Sequence, residues 1–203
     1  MAGSSRTPRR FFFSDMEFVF PPSTPWELDD IELRVIDGQP PLGFDCGRDA
    51  QNSFLYARAW RDAKAGVSVT HLLFIKGLLA SFVTLMMDSI TLGRDEKPKG
   101  VTWRLVPALK IAQLAVDRRF SGHGLGRFVV SYVVAYARTV GTMIGCRMIT
   151  LDAEQELVGW YASMGFRANR EEQAHRARVA SETGRDPTLL PVSMRLDLRE
   201  PHG

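Results

Sequence analysis

The sequence predicts an α/β fold in which a central mixed, twisted sheet is flanked by helices. Three observations indicate it: a hairpin signal centred on Lys76-Gly77, an almost wholly apolar run over Ala108–Val116, and a strongly amphipathic segment over Leu125–Val140. Apolar runs that alternate with amphipathic segments are typical of strands and helices packed in layers. A chain of 203 residues can bury a core of sufficient size without disulfides or metal ions.

The chain before residue 90 contains signals for a strand, a helix and a hairpin. We predict a first strand over Ile31–Ile36 and a helix over Asp45–Ala65, which contains no proline and ends at Gly66. The strands Val69–Ile75 and Leu79–Met87 follow. Lys76-Gly77 lies between them as a tight turn, so they are expected to form an antiparallel hairpin.

The second half of the chain is expected to supply the centre of the sheet. Ala108–Val116 suits a strand buried on both faces. The next helix has apolar residues at offsets of three and four, which define one continuous stripe: Leu125, Phe128, Val129, Tyr132, Val133, Tyr136 and Val140. The remaining predicted elements are a loop over Gly93–Gly100, a strand over Met148–Leu151, a helix over Glu154–Met164 stopped by Gly165, a charged and partly helical connection over Arg167–Asp186, and a last strand over Val192–Leu198.

Composition restricts the functional classes. The formal net charge is only +3, which is compatible with polyanionic partners without requiring them. Cys46 and Cys146 lie far apart and belong to no metal-binding pattern, which predicts a reducing, cytoplasmic setting and no metal. The longest apolar runs fall well short of the roughly 18 residues of a membrane span, so no membrane partner is expected.

Residues 1–29 differ in composition from the rest of the chain and are predicted to form an N-terminal arm on a domain covering 30–203. The arm is rich in Ser, Pro, Arg and Phe. Its phenylalanines are expected to pack on the domain or on a second subunit, so a homodimer is one open alternative. A partly disordered leader is the other.

A glycine-rich segment connects the apolar strand to the amphipathic helix. Gly122, Gly124 and Gly126 occupy alternate positions between Asp117 and Arg127. They leave backbone N–H groups uncovered at a helix N-terminus, where the helix dipole favours anions. This pattern predicts a pyrophosphate cradle, and its spacing differs from the GxGxxG of dinucleotide-binding folds. A purely structural turn is the alternative.

Three motifs in order resemble the signatures of GNAT acetyltransferases. They are Leu114-Ala115-Val116-Asp117, Gly122-His123-Gly124-Leu125-Gly126 and Trp160-Tyr161-Ala162-Ser163-Met164-Gly165-Phe166. The resemblance implies the GNAT fold, with a sheet of about six to seven strands in which strands 4 and 5 splay apart. It also implies acetyl-CoA as co-substrate. Phe44-Asp45-Cys46-Gly47 and Ser53-Phe54-Leu55 resemble the branch of acetyltransferase toxins that modify aminoacyl-tRNA, which implies tRNA and a small DNA-binding antitoxin as partners.

The same resemblance implies roles for individual residues. The N–H groups near Leu114, Ala115 and Val116 would bind the pantetheine arm and the thioester carbonyl, and Tyr161 would be the general acid. The coenzyme loop would comprise Arg119, Ser121, Gly122, His123, Gly124, Leu125, Gly126 and Arg127. Two registers of the motif are open, and they differ in which residue occupies the position where the family usually has Gln or Arg. If Gly124 and Gly126 are the motif glycines, that residue is Ser121. If Gly122 and Gly124 are the motif glycines, it is Arg119.

More than one role is open for four side chains in these motifs. Tyr161 could serve only in packing beside Trp160. Asp117 is the nearest carboxylate to act as a base, but an ion pair with a neighbouring arginine at the strand end is favoured. His123 could bind a phosphate or face solvent, and Cys46 is interpreted as a turn residue rather than a nucleophile.

Three functions are compatible with the sequence. The first is a translation-blocking toxin that acetylates the α-amine of aminoacyl-tRNA. The second is an acetyltransferase acting on a small-molecule amine, a protein lysine or a protein N-terminus, and the third is a weakly catalytic acetyl-CoA-binding module. Basic side chains could contact tRNA phosphates or only face solvent: Arg48, Arg58, Arg61, Lys64, Arg94, Lys97 and Lys99.

Overall fold

The computed structural model of the chain describes residues 26–200. Residues 1–25 and 201–203 lie outside the described part. The predicted arm over residues 1–29, with its five phenylalanines, therefore falls almost wholly outside it, and the boundary between arm and domain stays a prediction.

Seven strands form one mixed sheet, which confirms the predicted α/β class. They are β1 (Ile31–Val35), β2 (Val69–Ile75), β3 (Leu78–Thr91), β4 (Leu105–Val116), β5 (Met148–Ala153), β6 (Arg167–Ala168) and β7 (Val192–Asp197). Their order in the sheet is β1-β2-β3-β4-β5-β7-β6. β4 and β5 pair in parallel, whereas β1–β2, β2–β3, β5–β7 and β6–β7 pair antiparallel.

The helices follow the predicted order with shifted ends. They are α1 (Asp49–Phe54), a π-helical turn (Leu55–Ala59), α2 (Trp60–Lys64), α3 (Leu125–Ile144), α4 (Val158–Ala162) and α5 (Arg170–Glu182). The first helix was predicted to begin at Asp45, which is wrong. The Asp45 side chain accepts hydrogen bonds from the Gly47 N–H (2.8 Å) and from the Asn52 amide (2.8 Å). These bonds stabilise a turn before the helix.

The predicted hairpin is present, with a turn in which both central residues have positive φ. Lys76 has φ 49° and Gly77 has φ 79°. Two positive φ angles are typical of the type I′ turn, whose twist matches that of the paired strands. β2 pairs with β3 from Ile75↔Leu78 to Val69↔Leu85. β3 begins one residue earlier than predicted, at Leu78, and ends four residues later, at Thr91 rather than Met87.

β4 differs from its prediction in length and burial. It begins at Leu105 rather than Ala108, and most of its later residues are half-buried instead of buried on both faces. Its recorded parallel pairing with β5 runs from Ala108↔Met148 to Ile111↔Leu151. β4 itself continues to Val116 and β5 to Ala153. The two strands thus stop pairing before either of them ends, as expected if they splay apart.

The chain divides into two compact units. Within the described residues, the first comprises 26–86 and Gln113–Val133, and the second comprises Met87–Ala112 and 134–200. Phe82 belongs to the core of the first unit. The core of the second contains Ile90, Leu92, Val106, Ala108 and Met148.

The first unit also contains a buried histidine. His71 on β2 is 2% exposed, and its Nδ1 lies 2.5 Å from the Tyr132 hydroxyl on α3. Burial lowers the pKa of His71 from 6.5 to about 4. The folded protein therefore holds this imidazole neutral at a pH where an exposed histidine is charged.

We expect His71 to make stability depend on pH in weak acid. Its pKa is 6.5 when unfolded and about 4 when folded, so the unfolded state binds the extra proton and stability falls as the pH is lowered through this window. Between about pH 7 and pH 5 the loss should be about 2 kcal/mol. Urea unfolding of the wild type and His71→Gln at both pH values measures it. Equal losses in the two proteins would exclude His71 as the cause.

Candidate active site

The end of β4 is held by a buried carboxylate. The Asp117 side chain is 1% exposed and forms two hydrogen bonds with the Arg119 guanidinium, each 2.8 Å long. It also accepts the backbone N–H groups of Asp45 (3.0 Å) and Arg119 (2.9 Å). Burial raises the pKa of Asp117, but the hydrogen bonds from Arg119 and the backbone outweigh burial and lower it. Asp117 therefore has the structural role that was favoured for it, as an ion-paired carboxylate at the strand end.

The same ion pair connects β4 to the segment that precedes α1. The Arg119 guanidinium donates to the Gly43 carbonyl (3.1 Å), and the Arg118 N–H donates to the Asp45 carbonyl (2.9 Å). Cys46 lies in this segment, and its N–H donates to the Asn52 side chain (3.1 Å). This agrees with the interpretation of Cys46 as a turn residue.

The glycine-rich loop follows one turn of 3-10 helix over Arg118–Phe120. Gly122 and Gly124 have φ angles of 79° and 80°, a backbone conformation that glycine adopts without a steric penalty. A side chain added at Gly122 would meet nothing within 4 Å. Ser121, Gly122 and His123 are exposed. The loop is therefore open on the side of its central residues.

Helix α3 begins immediately after this loop and is 20 residues long. The first N–H groups of an α-helix have no partner within the helix, and its dipole places partial positive charge there. Leu125 is buried and anchors the first turn, whereas Arg127 is exposed two residues later. The loop and the helix start together can bind a phosphate or pyrophosphate.

The strand residues predicted to contact the coenzyme lie just before Asp117. Leu114 and Val116 are half-buried and Ala115 is buried. The Ala115 carbonyl accepts a hydrogen bond from the Ser81 hydroxyl (2.7 Å), and the Asp117 N–H donates to the Ala80 carbonyl (2.9 Å). β4 is thus fixed to β3 at the point where the predicted site begins.

Tyr161, the predicted general acid, lies on α4 in the second unit. It is 7% exposed, and its ring makes edge contacts with Trp160 (4.7 Å between centroids) and Phe166 (5.5 Å). Burial and the negative charge of Glu154 raise the pKa of Tyr161 to about 12. The phenol therefore keeps its proton at neutral pH, as a general acid must. The ring contacts are equally those of a packing residue.

Two residues near the site were not identified from the sequence. The Tyr56 hydroxyl accepts the Phe44 N–H (2.8 Å) and donates to the Phe44 carbonyl (3.2 Å). The Trp26 indole lies against His123, with 5.6 Å between ring centroids. Both contacts join residues far apart in sequence, and neither belongs to a recognisable motif.

No group of three or more His, Cys, Asp or Glu side chains within residues 26–200 is arranged to bind a metal ion. Nor is any helix in the described part of the chain both long and apolar enough to cross a membrane.

Part of the sequence is similar to a known protein family. Residues 92–166 match the sequence model described as the Acetyltransferase (GNAT) family. No curated protein sequence matches the chain significantly.

Solved structures with the same fold include bacterial toxins. A bacterial toxin is 17% identical with a TM-score of 0.63, covering 79% of this chain and 88% of its own. AtaT complexed with acetyl-methionyl-tRNAfMet is 21% identical with a TM-score of 0.63, covering 68% and 88%. A mutant AtaT toxin bound to the C-terminus of the antitoxin AtaR and acetyl-CoA is 21% identical with a TM-score of 0.58, covering 68% and 85%.

At these identities the solved structures establish the fold. The family match covers residues 92–166, which include the motif around Tyr161. The seven-stranded mixed sheet, with β4 and β5 parallel, is the sheet that the resemblance implied. Residues 92–166 are therefore similar to the GNAT family of acetyltransferases, and the chain has the fold of the solved toxin structures.

Proposed function

We propose that the protein transfers the acetyl group of acetyl-CoA to the α-amine of an aminoacyl-tRNA. The observation that supports acetyl-CoA binding is the open loop with Gly122 and Gly124 at positive φ, directly before a 20-residue helix. Its uncovered N–H groups suit the pyrophosphate of coenzyme A. Acetyl-CoA is also bound to the similar AtaT toxin.

The strand residues before the loop would bind the reacting end of the coenzyme. The recorded β4–β5 pairing ends at Ile111, which supports the proposal that N–H groups near Leu114, Ala115 and Val116 serve a ligand instead of β5. Donors directed at the thioester carbonyl would stabilise the negative charge that develops as the amine attacks. Holding amine and thioester in contact would supply much of the remaining acceleration.

Tyr161 is the proposed general acid. As the amine nitrogen bonds to the carbonyl carbon and the C–S bond breaks, the tyrosine would give its proton to the departing thiolate. The proton released by the amine would return to the tyrosine through solvent. The raised pKa, about 12, supports the first half of this role because the phenol is protonated when the reaction begins.

The choice of aminoacyl-tRNA as acceptor rests on the similar structures. AtaT with acetyl-methionyl-tRNAfMet has this fold, and the side chains of Arg58 and Arg61, next to and on α2, are 58% and 68% exposed. Arg58 is paired with Asp62 (3.1 Å), so part of this positive charge is neutralised. A small DNA-binding antitoxin is the partner that accompanies this proposal, in line with the AtaR complex of AtaT.

The first test is of the coenzyme loop. Gly124→Glu should abolish acetyl-CoA binding in calorimetry, because it adds bulk and negative charge to an anion site and strains a residue with φ 80°. Gly66→Glu is the matched control. Gly66 also has a positive φ, 69°, and open space around it, but it follows α2 rather than the loop. Normal affinity in Gly124→Glu would refute the assignment of the loop.

The second test concerns Tyr161. Tyr161→Phe should lower kcat by about 10²- to 10⁴-fold, the usual value of general-acid assistance, while coenzyme affinity and the thermal midpoint stay nearly constant. The ring that packs against Trp160 and Phe166 is retained. Tyr136→Phe removes a hydroxyl from another partly buried tyrosine and should have no such effect. A loss below about threefold, far under that range, would leave Tyr161 only a packing role.

The third test distinguishes the acceptor. Transfer to charged tRNA should weaken on the order of a hundredfold between about 50 and 200 mM salt if four phosphates are contacted, because neutralised phosphates release counterions. Transfer to a lysine peptide or a polyamine, measured at the same coenzyme saturation, should show little of this dependence. If only the small amines are acetylated, the acceptor is a small molecule or a protein.

A further inference from the structure

The segment before β1 is attached to the rest of the first unit at Asp30. The Lys76 N–H donates to the Asp30 carbonyl (3.0 Å), and the Lys76 ammonium lies 3.4 Å from the Asp30 carboxylate. The Asp30 N–H in turn donates to the Glu27 carbonyl (3.0 Å), which closes a turn of 3-10 helix. Trp26 therefore precedes a segment that is held to the β2–β3 turn.

The Trp26 indole spans two parts of the glycine-rich loop. Its centroid lies 5.9 Å from the ring of Phe120 and 5.6 Å from that of His123. Phe120 is 9% exposed and belongs to the core, so the indole rests on a fixed ring. His123 is exposed and lies between the two glycines with positive φ. Trp26 is thus a bridge between the rigid and the open parts of this loop.

Such a bridge matters because glycines lose more conformational freedom than other residues when a loop becomes ordered. If the loop is not held in advance, the apparent Kd rises, because only the fraction of molecules in the competent form can bind the ligand. An edge-to-face aromatic contact contributes enough free energy to change such a population by about 2- to 12-fold.

We propose that Trp26 is a positioning residue of the coenzyme site. By holding His123 against the buried Phe120, it keeps Gly122 and Gly124 in the conformation in which their N–H groups can bind the coenzyme pyrophosphate. This inference rests on the proposed function, because it assigns Trp26 to the loop that binds acetyl-CoA. The indole acts through His123, and this role is the same whichever amine accepts the acetyl group.

The experiment compares acetyl-CoA binding and turnover in three variants. Trp26→Ala should raise both Kd and KM for acetyl-CoA by about 5- to 10-fold, within the range of one aromatic contact, with kcat at saturation changed less than twofold. Trp26→Phe keeps an aromatic ring on Phe120 and should remain within about threefold of the wild type. Trp103→Ala removes a tryptophan that is 79% exposed elsewhere and should bind normally.

A double-mutant cycle tests whether the indole acts through the histidine. If it does, Trp26→Ala combined with His123→Ala should bind acetyl-CoA no more weakly than the weaker single variant. Additive losses, or unchanged Kd in Trp26→Ala, would overturn the inference. A wild type that binds no acetyl-CoA would instead refute the proposed function, so the two failures are distinguishable. If Trp26→Ala does not fold, the affinity of Trp26→Phe for acetyl-CoA is compared with that of His123→Ala. An equal loss of affinity in these two variants would also overturn the inference.

Discussion

The buried carboxylate of Asp117 is the constraint on which the first unit and its candidate site depend. It lies where β4 ends, and it receives hydrogen bonds from its own turn and from the segment before α1. Arg119 is half exposed, so solvent screens the ion pair itself. The greater cost of losing Asp117 would be two backbone N–H groups left without an acceptor. One side chain thus sets the end of the strand and the start of the coenzyme loop.

The parts of the fold that were predictable are those determined by neighbours in the chain. The hairpin at Lys76-Gly77 depends on two consecutive residues with positive φ, and α3 depends on a stripe of apolar residues with helical spacing. Local rules describe both well. The glycine-rich loop is also local, because it needs only glycines between a strand and a helix.

The parts that were missed depend on side-chain contacts that form only in the folded chain. The first helix begins at Asp49 because Asp45 is committed to Gly47 and Asn52, and Tyr56 and Trp26 gain their partners only in the folded chain. For Tyr161, too, one property was predictable from the sequence and another was not. Its motif was visible in the sequence, whereas its raised pKa depends on burial that no motif reports.

The proposed coenzyme site differs from a site built of side chains, because the backbone conformation rather than the residue types determines what it binds. Its donors are backbone N–H groups, and two torsion angles at Gly122 and Gly124 decide where those groups point. Nearly any residue at the intervening positions provides the same donor. Such a site tolerates extensive sequence drift provided that its glycines and the contacts that hold the loop persist, so lineages can diverge until overall similarity is lost while the same ligand is still bound. Backbone conformation, rather than residue identity, would then be the inherited character by which distant members are recognised.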